Sequence, residues 1–242
     1  MADNRNYAQV AGTRTDGVID QGLRSHMIGI YNYMTGGVAL TGIVAMATSY
    51  LASTNQGVYQ ALYFSPLKWV VMLAPLAFVF FLSFRVHKLS VGAAQVSYWL
   101  FAAVMGVSLS SIFLVFTGQS IAQVFFVTAA AFAGLSVFGY TTKKDLSGWG
   151  SFLIMGLIGI IIAAIVNIFL QSGALQFAIS VIGVLVFAGL TAYDTQRLKD
   201  EYYQLAGDQT WLAKSAIMGA LSLYLNFINM FTMLLQLFGD QE

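Results

Sequence analysis

Asp194 stands against the edge of a membrane-length apolar run, with Phe177 to Tyr193 leading into it and Thr195-Gln196-Arg197 following. An ionised carboxylate in hydrocarbon is costly, so such a group is expected to face a bundle interior or a water-filled path and to have a partner. Further along, Ser222, Asn226, Asn229 and Gln236 recur at i, i+4, i+7 and i+14, with Met233 at i+11. That spacing draws one stripe along one helix face. The stripe has two readings: side chains that join helices by hydrogen bonds worth about 0.6–2 kcal/mol each, or the lining of a hydrated cavity. Ser108, Ser110 and Ser111 form a weaker counterpart, and backbone bonding alone would account for them.

The depth of Asp194 is open on spacing alone. Seventeen apolar residues from Phe177 to Tyr193 cover about 26 Å of helix. If the helix ends there, Asp194 is interfacial, solvated or paired one turn on with Arg197. If it continues through Leu198 towards Tyr202, Arg197 and Lys199 snorkel outward and Asp194 stays inside the protein. Asn226 lies about 15 Å into the last apolar stretch, so spacing does not bring it to Asp194.

The elements that must position these groups are membrane helices. The chain has 242 residues, 58% hydrophobic and 9% charged, with mean hydropathy +0.75. Soluble domains carry roughly 25% charged residues, so the fold class is an all-α integral membrane protein. A net charge of +1 leaves no footprint for nucleic acid. The absence of Cys excludes thiolate and Cys-based metal chemistry. Gly134-Leu-Ser136-Val-Phe138 lacks the second Gly of a nucleophile elbow, and only His26 and His87 are present. There is no phosphate-binding loop. Lys214 precedes the last span and does not lie within it, as a retinal Schiff base would require. The chain is therefore read as a non-enzyme without a cofactor.

Seven stretches reach the roughly 20 residues a membrane helix needs: 28–51, 66–84, 91–116, 121–140, 151–170, 176–194 and 216–238. Residues 1–27 read as a polar N-terminal tail without a signal peptide, and 28–242 as one seven-helix domain. Only one connection, from Thr195 to Ser215, reads as long and polar. Ten of the eleven Lys and Arg fall in the tail and in the 2–3, 4–5 and 6–7 loops, leaving Lys68 on the other side. The positive-inside rule then places the N-terminus in the cytoplasm and the C-terminus outside. Pro75, mid-span, is expected to kink or unwind its helix. Gly36, Gly37, Gly42, Gly156, Gly159, Gly183 and Gly189 are expected to allow close helix packing.

Tyr193-Asp194-Thr195-Gln196-Arg197-Leu198-Lys199 resembles the sixth-span signature of the Bax inhibitor-1 family, including its bacterial YccA-like branch. Leu221 to Asn229 resembles the seventh-span signature. Gly106 to Ser111 and Gly139 to Leu146 are similar to the third-span and 4–5 loop segments. The resemblance runs from about residue 30 to the C-terminus.

It implies six helices around a central seventh in a bacterial inner membrane, and a pH-sensitive Ca²⁺ leak. It implies, as the alternative, a modulator that binds a membrane-bound AAA protease and serves in stress response. The tail before Ile28 and the 6–7 loop, with Asp200, Glu201, Asp208 and Lys214, would then be the contact surfaces. The family's sensor is a pair of aspartates. The first carries over to Asp194, which would also be the ligand for a passing metal ion, whereas the second falls on Asn226. An Asp–Asn pair lacks the mutual repulsion of two carboxylates, and a hard cation loses an anionic ligand. A gate built this way is expected to respond at lower pH than a two-aspartate one. The family also places a basic latch at the end of the second span, for which Arg85 is the candidate, with Arg197 competing. Oligomeric state is not readable.

Overall fold

In a computed structural model the chain is described for residues 3–205 and 207–241, with the backbone alone described for 3–20. Nine helices form among the described residues, and no strand does. In order they are α1 (Asp3–Thr54), α2 (Gln56–Tyr63), α3 (Leu67–Arg85), α4 (Val91–Leu109), α5 (Ile112–Val115), α6 (Gly118–Thr141), α7 (Ser147–Leu170), α8 (Gly173–Leu205) and α9 (Gln209–Phe238). Seven stretches are long and apolar enough to cross a membrane, with α4 and α5 together making the third.

Local chemistry marks where the helices begin. Asn55, Ser90, Thr117 and Asp208 are N-caps whose side-chain oxygens accept from backbone N–H groups of the first turn, satisfying donors that a helix start leaves orphaned. Gln171 ends α7 in the left-handed region at φ 50°.

Two boundaries differ from the sequence reading. Leu23 and Met27 lie in the core, so the final turns of the expected tail belong to the bundle. The side chains of residues 1–20, those of Arg5 and Arg14 among them, lie outside the described residues. The expected long polar 6–7 loop is also absent: α8 runs to Leu205 and α9 starts at Gln209. Asp200 and Glu201 lie on α8, and Lys214 is buried on α9.

Burial separates the helices. In α9, 61% of the most apolar window is buried, against 11% for α3 and 17% for α7. Helices α1, α4, α6 and α8 pack on α9, while α3 packs chiefly on α4 and α7 on α8. Large apolar side chains such as Phe80, Phe84, Phe152 and Ile162 point outward, as they do where lipid is the solvent.

Pro75 does not unwind α3, which runs unbroken through it. Proline removes the donor that would bond the carbonyl four residues back. That carbonyl, on Val71, accepts instead from the Ser108 hydroxyl of α4. Ser110 donates to the Val107 carbonyl at 2.6 Å and meets the Tyr63 hydroxyl at 2.6 Å. Ser108 and Ser110 therefore have structural work.

Glycine sets the closest approach of α6 to α8. A Cβ on Gly139 would lie 2.2 Å from the Ala192 carbonyl oxygen, a backbone atom that cannot move aside alone. Gly139→Ala is expected to lower stability by about 1–3 kcal/mol through overpacking, read as a lower thermal midpoint in detergent. Gly36, Gly37, Gly156, Gly183 and Gly189 also face neighbouring side chains closely, whereas Gly42 and Gly159 face open space.

Candidate functional site

The site follows from the length of α8. Its inward positions Phe187, Leu190, Thr191, Asp194, Thr195 and Leu198 recur at three- and four-residue spacing and are buried. Arg197 and Asp200 fall on the exposed face. The charges that suggest a loop are thus the solvated side of a continuing helix. At 33 residues, α8 is about 50 Å long and outruns the roughly 30 Å hydrocarbon layer.

A tight turn then folds α9 back along α8. Asp208 accepts from the backbone N–H of Thr210 at 2.9 Å and of Trp211 at 3.1 Å, starting α9 immediately. The antiparallel register that results sets Leu198 against Gly219 and Met233 against Gly183. The same register carries Asn226 to Asp194.

There the Asn226 Nδ2 group donates to Asp194 Oδ2 at 2.8 Å, and Arg197 Nη2 lies 3.0 Å from Asp194 Oδ1. Each carboxylate oxygen has its own partner. Asp194 is 8% exposed, while the Arg197 side chain is 44% exposed. Asp194 is an interior residue covered from one end by a guanidinium that reaches solvent. Beside it, Thr195 donates to the Thr191 carbonyl at 2.8 Å, and its hydroxyl lies 3.4 Å from that of Tyr31.

The two latch candidates differ in geometry. Arg85 is exposed at the end of α3, and the Arg197–Asp194 pair is the only ion pair among the described residues. Arg85 does not engage Asp194. Arg197 sits one turn from Asp194 on the same helix, so their pair neutralises the carboxylate without tying two helices together. Asn226 supplies the bond that crosses from α9 to α8.

The polar stripe of α9 forms a seam with α8. Gln236 Oε1 accepts from Gln176 Nε2 at 2.6 Å and from Ser180 Oγ at 3.0 Å. Asn167 Nδ2 extends the chain to Gln176 Oε1 at 3.1 Å. Asn229 donates to the Leu225 carbonyl of its own helix at 2.8 Å, and Ser222 is half-buried one turn before Asn226. Midway, Met233 seats on Gly183. Among the described residues no three His, Asp or Glu gather, so a cation at this level would meet one carboxylate and the Asn226 amide.

The contacts of three polar residues escaped the sequence reading. Gln196 accepts from the Leu146 N–H at 2.7 Å and donates to the Lys144 carbonyl at 2.9 Å, fastening the 4–5 loop to α8. Lys214 donates to the His87 carbonyl at 3.3 Å, fastening the 2–3 loop to α9. Asp240 accepts from Ser120 Oγ at 3.3 Å, and its carbonyl accepts from the Thr117 N–H at 3.0 Å, closing the opposite end. An acid just past the last apolar run was the only sequence hint of that third contact.

Seven apolar helices, with a buried carboxylate held between the last two, define a polytopic membrane protein. The chain matches the family model described as inhibitor of apoptosis-promoting Bax1 over residues 23–242, and it belongs to the Bax inhibitor-1 family. It is 48% identical over 245 residues to a protein of Caulobacter vibrioides, covering 99% of this chain and 98% of that one. It is 45% identical over 233 residues to the inner membrane protein YbhL of Escherichia coli, covering 95% and 98% respectively. It is 40% identical over 230 residues to protein RP147 of Rickettsia prowazekii, covering 95% of each. With seven apolar helices and relatives of this kind, it is a multi-pass inner-membrane protein.

Proposed function

We propose that this protein is a slow, proton-gated cation leak, with Ca²⁺ as the transported ion and Asp194 as the gating carboxylate. The observation that carries the reading is the Asp194–Asn226 hydrogen bond across the α8–α9 seam. A bond to an ionised carboxylate is roughly twice as strong as a neutral one. Protonating Asp194 weakens that bond and discharges the ion pair with Arg197, loosening the inner end of the seam. The remaining polar groups of the seam, Asn229, Ser180, Gln176 and Gln236, then offer oxygen ligands of the kind that Ca²⁺ takes. Met233, unbranched and adaptable, plugs the middle against Gly183.

The proposed orientation puts Asp194 near the cytoplasmic end. The Lys144 carbonyl held by Gln196, the His87 carbonyl held by Lys214 and the Tyr140 carbonyl held by Lys199 put the basic segments at one end of the bundle. The positive-inside rule makes that end cytoplasmic. Acidification of the cytoplasm is then the natural stimulus, which fits a role in stress.

The alternative is a non-transporting modulator that docks on a membrane-bound AAA protease, without enzymatic activity of its own. Ca²⁺ efflux from proteoliposomes separates the two. Asp194→Ala is expected to change flux while removal of residues 1–20 does not. Flux unaltered by Asp194→Ala, together with protease association lost on truncation, would establish the modulator instead.

A further inference from the structure

A second feature lies away from the seam. Between α1 and α6 a crevice of about 800 Å³ opens on the bundle's side, lined by Arg24, Tyr31 and Val38 of α1 and by Ala129, Ser136 and Tyr140 of α6, among others, with Phe227 of α9 as its floor. Each wall helix packs elsewhere: α1 on α4 and α9, α6 on α8 and α9. Small side chains at Ala129 and Ala133 keep the space open. Ile28 and Val137, also on its walls, are 48% and 62% exposed, so the crevice faces lipid.

Its chemistry is graded along its length. Arg24 marks one end, with Met27 and Ile28 between it and Tyr31. The hydroxyl-bearing residues Tyr31, Thr35, Ser136 and Tyr140 lie on the half of the walls nearer that end, and Val38, Phe125, Ala129 and Phe132 on the other half. From Arg24 to Val38 the α1 wall runs about 21 Å. Lys199 of α8 donates to the Tyr140 carbonyl at 3.1 Å and lies 5.5 Å from its ring centroid, which fastens that end of the α6 wall to α8. Neither cation has a carboxylate partner among the described residues. Ser136 is 6% exposed, and its hydroxyl has no hydrogen-bond partner in the protein. A buried polar group is expected to find one.

We propose that this crevice binds one anionic phospholipid from the leaflet at the Arg24 end, with its phosphate on Arg24 and an acyl chain between α1 and α6. The Arg24 guanidinium at the mouth supplies the charge complement to a phosphate. The hydroxyls that follow suit the glycerol-ester oxygens, and the apolar floor suits the chain. The volume falls within the ~300–1,000 Å³ range of small-molecule sites.

Native mass spectrometry tests the assignment on full-length protein purified from nanodiscs of equal phosphatidylglycerol and phosphatidylethanolamine. The wild type is expected to retain one phosphatidylglycerol. Arg24→Ala should lower the preference for phosphatidylglycerol about fivefold, the effect of one basic residue at a membrane surface, with Arg24→Lys restoring it. Ala133→Phe, which fills the crevice and keeps Arg24, should lose the retained lipid altogether. Equal retention of the two lipids by the wild type, or an unchanged adduct in Ala133→Phe, would overturn the proposal. Thermal midpoints for all variants separate lipid loss from misfolding.

Discussion

Asn226→Asp is expected to move the pH of half-maximal Ca²⁺ flux upward, measured in proteoliposomes across pH. Asn226 Nδ2 now donates to Asp194 Oδ2 at 2.8 Å. Replacing that amide with a carboxylate sets two acids at hydrogen-bond distance, where both cannot ionise easily, so the pair keeps one proton to higher pH than Asp194 alone. The sign is fixed by this repulsion. If protonation opens the leak, the variant opens at milder acidity. A profile that overlays the wild type would show that Asn226 does not face the titrating group. Asn226→Leu keeps the bulk and removes the donor. It is expected to raise flux at neutral pH, because the bond between the helices is gone.

Arg197→Ala is expected to shift the same profile upward, while Arg85→Ala leaves it in place. The Arg197 guanidinium lies 3.0 Å from the carboxylate, and a cation that close favours the ionised form. Its side chain is 44% exposed, which screens the interaction and keeps the shift modest. Arg85 is exposed at the end of α3 and makes no ion pair with Asp194. Flux that responds to Arg85→Ala and ignores Arg197→Ala would return the latch to the second span. Lysine at 197 should recover part of the effect, because the charge is kept and the fork geometry is lost.

Much of the architecture was legible in the chain. Seven apolar stretches announce seven helices because lipid forces the backbone to bond internally over about 20 residues. The helical stripe from Ser222 to Gln236 was readable from its spacing, and the structure turns it towards α8. The ends of α8 and α9 were not legible. Arg197, Lys199, Asp200 and Glu201 resemble a solvated loop, yet they are the outer face of a helix whose inner face carries Leu198. The alternative reading, in which α8 continues past Asp194, is the one the structure adopts. Asp208 was the available signal, an acid at the position where an N-cap would start α9. With that turn placed, the antiparallel register follows, and Asn226 comes to Asp194. The contacts of Gln196 and Asp240 lie between segments 50 and 120 residues apart, and no local pattern encodes them. The Val71 carbonyl freed by Pro75 was predictable, but its rescue by Ser108 depended on how α3 and α4 pack.

The central claim is that protonation of Asp194 opens the leak. It is tested most directly by Ca²⁺ efflux from proteoliposomes, recorded across pH for the wild type and Asp194→Asn at equal protein density. The asparagine cannot ionise and is close in shape to the protonated acid. The account predicts a wild-type flux that rises on acidification and a variant flux that stays high and flat. A variant whose flux follows the wild-type profile would contradict it.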